Sequence, residues 1–126
     1  MKAACGWTGV SAARSSSVSE IVVCPSLREP LGNVVIEAWS AGLPVVATAS
    51  DGPASLIEDG ESGILVPLPG ARGGGPQVLA EAIERVCADP ALRARLGSAG
   101  RRAYEAEFTE PIVVAAYRDF FDRVTR

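Results

Sequence analysis

Three short apolar runs, each followed by a stretch with helical spacing, constrain the fold more than any other feature of this sequence. The runs cover residues 21–25, 44–48 and 63–67 and are rich in β-branched residues. Continuous apolar runs of this length are typical of strands buried on both faces, as in parallel sheets. The alternation therefore predicts an α/β fold, a Rossmann-like parallel sheet with helices on both faces.

The helices are predicted from apolar periodicity together with flanking glycine and proline residues. They are expected at 33–41, 54–58, 77–88, about 90–107 and from Thr109 onwards. Gly42 is placed to end the first helix, and Thr109 to cap the last. Residues 1–20 have no clear period, so we expect an irregular N-terminal segment and one domain over 21–126.

The composition excludes several classes of function. The chain has 126 residues, a formal net charge of −3 and no histidine. Catalysis and metal binding by histidine are thereby excluded, and a nucleic-acid partner would need clustered positive charge. A signalling receiver domain has a similar length and alternation but needs a lysine late in the chain. The only lysine is Lys2.

Cysteine usage and hydropathy bear on the compartment. Cys5, Cys24 and Cys87 are odd in number and far apart, which argues against a disulfide framework or a zinc site and fits a reducing cytoplasm. The first residues imitate a signal peptide only briefly, because Arg14 and two glycines interrupt the apolar run. No run approaches the length of a membrane span.

The loop between the first strand and the first helix carries the most informative polar residues. Glu29 follows the carboxyl end of a strand, where α/β folds bind their ligands. Gly32 lets the backbone pass close to a bulky ligand. The N–H groups of the first helical turn, near 31–34, are free to bind phosphate oxygens with the help of the helix dipole.

Glu37 lies one turn further along a helix that is otherwise apolar. A buried carboxylate there needs a partner, and the two hydroxyls of a ribose would satisfy both of its oxygens. The alternative is that Glu37 only favours the N-terminal end of the helix, and the residues alone do not decide between these interpretations. Trp39, on the same helix, is predicted to belong to the core rather than to stack on a sugar.

The spacing of the two glutamates and the run after them form a specific pattern. Seven residues separate Glu29 from Glu37, which is followed by A-W-S-A-G-L-P-V-V-A-T. This order resembles the E-x7-E signature of the group 1 (family 4) retaining glycosyltransferases. Residues 51–67 resemble the family's next block, and Phe108-Thr109 before a last helix resembles its end. The resemblance implies the C-terminal, donor-binding half of a GT-B fold, without the N-terminal half that binds the acceptor.

The resemblance also implies roles for individual residues. Glu37 resembles the carboxylate that holds the ribose, Glu29 resembles the catalytic carboxylate that faces the donor sugar, and the backbone at Leu31, Gly32 and Asn33 would hold the diphosphate. The implied donor is a UDP- or GDP-linked sugar, transferred with retention and without a metal or other cofactor. The implied setting is bacterial polysaccharide synthesis in the cytoplasm, with the full-length enzyme peripheral to the inner membrane.

Three departures from the family pattern shape the expected activity. The family's diphosphate-neutralising Arg and Lys lie upstream of residue 21, and neither Lys2 nor Arg14 has a matching context. Ser55 stands where the family often has an acidic residue, and the N-terminal acceptor-binding domain is missing. We therefore expect the donor domain of a glycosyltransferase, which binds the donor but does not transfer the sugar without its acceptor-binding domain. The alternative is a truncated nucleotide-binding remnant that is catalytically inactive in any setting. Without its partner domain, the last helix is expected to expose apolar residues and to self-associate.

Overall fold

A parallel sheet with the strand order β1-β2-β3 organises residues 21–126, the part of the chain that the computed structural model describes. The strands are β1 (Val22–Cys24), β2 (Val45–Thr48) and β3 (Ile64–Val66). The helices are α1 (Asn33–Ser40), α2 (Asp51–Leu56), α3 (Pro76–Ala88), α4 (Pro90–Glu107) and α5 (Glu110–Val124). The predicted α/β order is confirmed, while the segment 1–20 that was expected to be irregular lies outside the described residues.

Helix α2 begins earlier than the predicted 54–58. The Ala54 N–H already donates to the Ser50 carbonyl, at 2.9 Å, so the first turn starts directly after Ser50. Pro53 fits within this turn because the first N–H groups of a helix have no intrahelical partner and proline lacks only that donor. A proline taken as the marker of the helix start therefore placed the start too late.

Helices cover both faces of the sheet, as predicted. Val46 points to one face, where it packs in a buried cluster with α3 and the first part of α4. Its neighbours Val45 and Ala47 point to the other face and pack against α1. The register of the parallel pairs, in which Val46 lies opposite Val23 and Ile64, aligns the apolar side chains of all three strands.

Helix α4 contributes to the cores on both faces. Leu96, in its first half, belongs to the cluster against α3, whereas Tyr104, in its second half, packs on the cluster against α1. At Gly97 a Cβ would collide with the Gly42 carbonyl, just before β2, and at Gly100 it would lie 2.6 Å from Trp39 Nε1. The helix therefore packs closely at the amino-terminal side of the sheet, and the carboxyl ends of the strands stay free of it.

Trp39 is the largest fully buried side chain of the described residues, with 1% of its surface exposed. Its indole N–H donates to the Ser62 carbonyl at 3.0 Å, and its ring centroid lies 6.2 Å from that of Phe108. The prediction that Trp39 is a core residue is confirmed. Burial and a satisfied N–H leave no ring face for a sugar.

Gly42 ends α1 as the sequence predicts. Its φ is +70°, its N–H donates to the Trp39 carbonyl, and the N–H of Leu43 donates to the Ala38 carbonyl. These two bonds form a Schellman motif, which needs a left-handed residue at this position and so favours glycine. Thr109 precedes α5 as predicted, although its side chain forms no capping hydrogen bond.

Helix α5 contains no buried residue. Tyr117, Phe120 and Phe121 are exposed over 62%, 52% and 56% of their surfaces. Tyr117, Phe120 and Val124 recur at spacings of three and four residues, so they lie on one side of the helix. The expected exposure of apolar residues on the last helix is confirmed, and an apolar side of this size is one that soluble monomers tend to avoid.

The exposed side of α5 is expected to make the chain self-associate. In sedimentation velocity, the average sedimentation coefficient should rise with protein concentration. The double substitution Phe120→Ser and Phe121→Ser should shift the chain toward monomer because it removes two exposed rings. Asp119→Ser with Asp122→Ser, on the polar side of the same helix, is the matched control and should leave association unchanged or stronger. A parent chain that stays monomeric at every concentration would contradict the prediction.

Candidate functional site

Two loops meet at the carboxyl ends of β1 and β2. The buried Thr48 hydroxyl, at the end of β2, lies 2.6 Å from the Ser26 carbonyl and donates to it. The Gly52 N–H donates to the Glu29 carbonyl at 2.6 Å. These bonds join the loop of residues 25–32 to the turn after β2, and they place Glu29 at the edge where ligands of parallel α/β sheets bind.

Glycine is required at both points where the two loops touch. A Cβ on Gly52 would lie 2.5 Å from the Glu29 carbonyl oxygen and 2.8 Å from the Leu31 carbonyl carbon, and both are backbone atoms that cannot move independently. Gly32 precedes α1 with a φ of +72°, a left-handed conformation that other residues rarely adopt. The backbones can therefore approach closely only because both residues lack a side chain.

The Glu29 carboxylate turns back onto the start of α1. Its Oε1 accepts a hydrogen bond from the Gly32 N–H at 3.0 Å, and the side chain is half-buried. A carboxylate at this position interacts favourably with the positive end of the helix dipole. Of the three residues predicted to hold a diphosphate, Gly32 thus has its N–H engaged by Glu29 within the chain itself.

The next N–H groups of α1 are free of such bonds. Within residues 21–126, the N–H groups of Asn33 and Val34 donate to no other group, whereas those of Val35 and Ile36 donate to the Gly32 carbonyl. Asn33 is exposed, as is Leu31 over 68% of its surface. The start of α1 therefore presents unpaired N–H donors, which together with the dipole favour an anion.

Glu37 is exposed rather than buried. The argument that a buried carboxylate needs a partner therefore does not apply to Glu37. It lies four residues after Asn33, hence on the same side of α1, opposite the buried Ala38 and Trp39. It also lies beyond the first helical turn, where an interaction with the dipole has largely decayed, which weakens the alternative role at the helix terminus.

Several residues of this site were not singled out from the sequence. Gly52 and Thr48 hold the two loops together. Ser50, which lies between these two residues in the sequence, is buried. The signal was present, because a Gly-Pro pair four residues after the end of a buried strand indicates a turn. Ser55, at the position where the family often has an acid, donates to the Gly52 carbonyl at 2.7 Å and so belongs to the turn itself.

A cavity of about 440 Å³ lies elsewhere, between α1, α2 and α4. Trp39, Glu58, Arg102 and Phe108 are among its lining residues, and none of the five predicted site residues lines it. The predicted site lies apart from this cavity, at the edge of the sheet. Over residues 21–126, no group of three or more His, Cys, Asp or Glu side chains is placed to hold a metal ion.

The same described range contains no helix that is both long and apolar enough to cross a membrane. The cysteines within it, Cys24 and Cys87, are free thiols, the first buried and the second half-buried. Cys24 lies in the core against α1, as expected for a small apolar side chain.

Comparison with known proteins gives one family. The family model described as "Glycosyl transferases group 1" matches residues 12–103. Among curated proteins, the chain is 40% identical over 98 residues to the lipopolysaccharide core biosynthesis glycosyltransferase LpsE of Rhizobium meliloti, covering 78% of this chain and 27% of that protein. It is 37% identical over 107 residues to LpsD of the same organism, covering 85% and 30%. The chain thus spans under a third of the length of these relatives.

Solved structures give the same fold. Sucrose-phosphate synthase from Thermosynechococcus elongatus superposes with a TM-score of 0.78 at 33% identity, over 88% of this chain and 27% of that one. Anabaena HepE, solved in complex with UDP-glucose, superposes with a TM-score of 0.77 at 26% identity, over 92% and 30%. The described fold therefore corresponds to one part of larger glycosyltransferases.

Proposed function

Because this chain belongs to the group 1 glycosyl transferases, we propose that its two carboxyl-end loops bind the donor of the reaction, a nucleoside diphosphate sugar. The observation that carries the proposal is the start of α1. Among residues 21–126, the N–H groups of Asn33 and Val34 have no partner. They lie along one stretch of loop and helix with the Glu29 carboxylate and the exposed Glu37. The N–H groups in this arrangement can donate hydrogen bonds to phosphate oxygens, and the glutamates on either side can accept hydrogen bonds from hydroxyl groups of the donor.

In this proposal each group contacts a different part of the donor. The backbone at Leu31, Gly32 and Asn33 holds the diphosphate, Glu37 accepts hydrogen bonds from the ribose hydroxyls, and Glu29 faces the sugar. The complex of Anabaena HepE with UDP-glucose supports the choice of a uridine donor. Helix-terminal N–H groups stabilise negative charge on a departing diphosphate without a metal, which supports metal-independent transfer; retention is proposed from the E-x7-E pattern.

The assignment of Glu37 predicts a loss of nucleotide affinity in the variant Glu37→Ala. Hydrogen bonds to a charged group are typically worth about 1.5–3 kcal/mol, so UDP affinity should fall about 10- to 150-fold. Isothermal titration calorimetry with UDP and GDP measures this directly. Glu84→Ala removes an exposed carboxylate on α3 and serves as the control. Equal affinities for the parent and Glu37→Ala would rule out the ribose contact.

A second proposal concerns turnover rather than binding. The chain covers 27% and 30% of the two Rhizobium relatives, so it is a candidate for a module that holds the nucleotide but transfers nothing by itself. Incubation of the purified chain with UDP-glucose and a panel of sugar acceptors distinguishes the two proposals. UDP binding without transfer supports the binding module, whereas transfer by this polypeptide alone supports a complete catalyst.

A further inference from the structure

The Glu29 carboxylate accepts a hydrogen bond from the Gly32 N–H, which belongs to the same helix start that is proposed to bind the diphosphate. We propose that Glu29 acts as an internal anion, an autoinhibitory contact that the donor must displace. The contact, called here the Glu29 latch, consists of the Glu29 carboxylate on the Gly32 N–H, at 3.0 Å, and the Glu29 carbonyl on the Gly52 N–H, at 2.6 Å. The proposal rests on the proposed function, because it concerns the same donor site.

Electrostatics make the two anions exclusive. The Glu29 carboxylate and a phosphate oxygen seek the same N–H donor, and two negative charges side by side at one helix terminus repel each other. The carboxylate must therefore leave Gly32 before a diphosphate can use that N–H. Once displaced, the carboxylate is free to accept a hydrogen bond from a sugar hydroxyl, which is the role proposed for it in the liganded site.

The second half of the latch has an alternative partner already in place. Ser50 precedes α2, at the position from which a serine normally accepts the N–H of the second or third helical residue. The third residue is Pro53, which has no N–H, and the N–H of the second, Gly52, is engaged by Glu29. The Ser50 hydroxyl consequently has no hydrogen-bond partner within the described residues. The residue is nevertheless buried, with 3% of its surface exposed.

An unpaired buried hydroxyl is unusual and calls for an explanation, and an open state of the Glu29 loop supplies one. If the Glu29 loop lifts, the Gly52 N–H loses the Glu29 carbonyl and Ser50 is the nearest capping acceptor in sequence. The exchange replaces one hydrogen bond with another, so opening the loop leaves no donor stranded. The latch is thereby a two-state element, and an anion that binds only the open state shifts its population.

Calorimetry with inorganic pyrophosphate tests the competition, because pyrophosphate has neither ribose nor sugar. Removal of the internal anion in Glu29→Ala should tighten pyrophosphate binding by about tenfold or more, given the usual strength of a hydrogen bond to a carboxylate. Glu29→Gln, a neutral and weaker acceptor, should lie in between. Glu61→Ala, an exposed carboxylate beyond α2, is the control. Unchanged or weaker binding by Glu29→Ala would overturn the proposal.

Ser50→Ala tests the alternative partner and separates it from a structural role. Removal of an unpaired buried hydroxyl should raise the melting temperature of the free chain. Loss of the acceptor needed in the open state should at the same time weaken pyrophosphate binding by about 2- to 10-fold. Ser98→Ala, which removes the hydroxyl of an exposed serine on α4, is the control and should not weaken pyrophosphate binding. Pyrophosphate affinity that is unchanged in Ser50→Ala would overturn the exchange.

A measurement without ligand keeps the latch distinguishable from the proposed function. In ¹H–¹⁵N spectra, the Gly32 amide resonance should differ between the parent chain and Glu29→Gln, because the acceptor of its hydrogen bond changes from a carboxylate to a neutral amide oxygen. A chain whose Gly32 amide resonance responds to Glu29→Gln but which has no affinity for pyrophosphate or UDP would overturn the donor site while leaving the contact itself intact. A Gly32 amide resonance that is the same in the parent chain and in Glu29→Gln would overturn the latch, whatever ligand the chain binds.

Discussion

Trp39→Ala is expected to lower the free energy of unfolding by about 3–5 kcal/mol, the range for deleting a large buried aromatic side chain. Trp39 is 1% exposed and joins three parts of the molecule. It contacts Gly100 in α4, donates to the Ser62 carbonyl before β3, and packs near Phe108. The truncated side chain would leave a cavity and an unpaired carbonyl. Urea denaturation followed by circular dichroism gives the change, provided that the slope of the transition is unchanged.

Two further variants divide this effect into its parts. Trp39→Phe keeps most of the apolar volume but loses the hydrogen bond to Ser62, so it should cost less than the alanine variant. Phe121→Ala removes a ring that is 56% exposed and should change stability by no more than about 0.5 kcal/mol, as surface substitutions usually do. If Trp39→Ala proved no more costly than Phe121→Ala, α1 and α4 would not pack as described.

Gly52→Ala is expected to destabilise the chain by about 1–3 kcal/mol and to damage nucleotide binding as well. The added Cβ would meet the Glu29 carbonyl oxygen at 2.5 Å and the Leu31 carbonyl carbon at 2.8 Å. Since both belong to the backbone, the loop that carries the proposed diphosphate contacts has to move away from α2. We therefore expect UDP affinity in calorimetry to fall below that of the parent even at temperatures where the variant is folded.

Ala54→Val is the matched control for this prediction. It adds two methyl groups to an exposed position of the same short helix, where there is room for them. It should retain UDP affinity and most of the stability. A Gly52→Ala variant that melts and binds like the parent would show that the two loops do not touch at this point.

The fold could be predicted from the sequence because its signals are local and strong. The strand at 44–48 is a continuous β-branched run, and α1 ends at a glycine whose positive φ the helix end requires. The start of α2 was predicted too late because proline is compatible with several positions of a first turn. The close packing of α4 on Gly42 and Trp39, through Gly97 and Gly100, involves residues that are distant in the sequence. Apolar periodicity does not reveal such contacts.

The sequence could single out candidate residues of the site, whose roles stay predictions, but it could not reveal the contacts between them. Glu29 and Glu37 were identified from their spacing, and the resemblance to a family supplied their proposed roles. The hydrogen bond from Gly32 to Glu29 and the unpaired hydroxyl of Ser50 depend on backbone geometry across the two loops. Exposure was also misjudged, since an apolar helix suggested that Glu37 is buried, whereas it lies on the side of α1 that faces away from the core.

The position of α4 at the amino-terminal side of the sheet has a consequence for how such a protein can change over evolutionary time. The packing that holds both faces together is concentrated there, while the loop that follows β1 carries little of it. Leu27 and Leu31 in that loop are exposed over 63% and 68% of their surfaces. Substitutions at these positions are therefore expected to change the free energy of unfolding little. A lineage can therefore alter this rim without first having to rebuild the core.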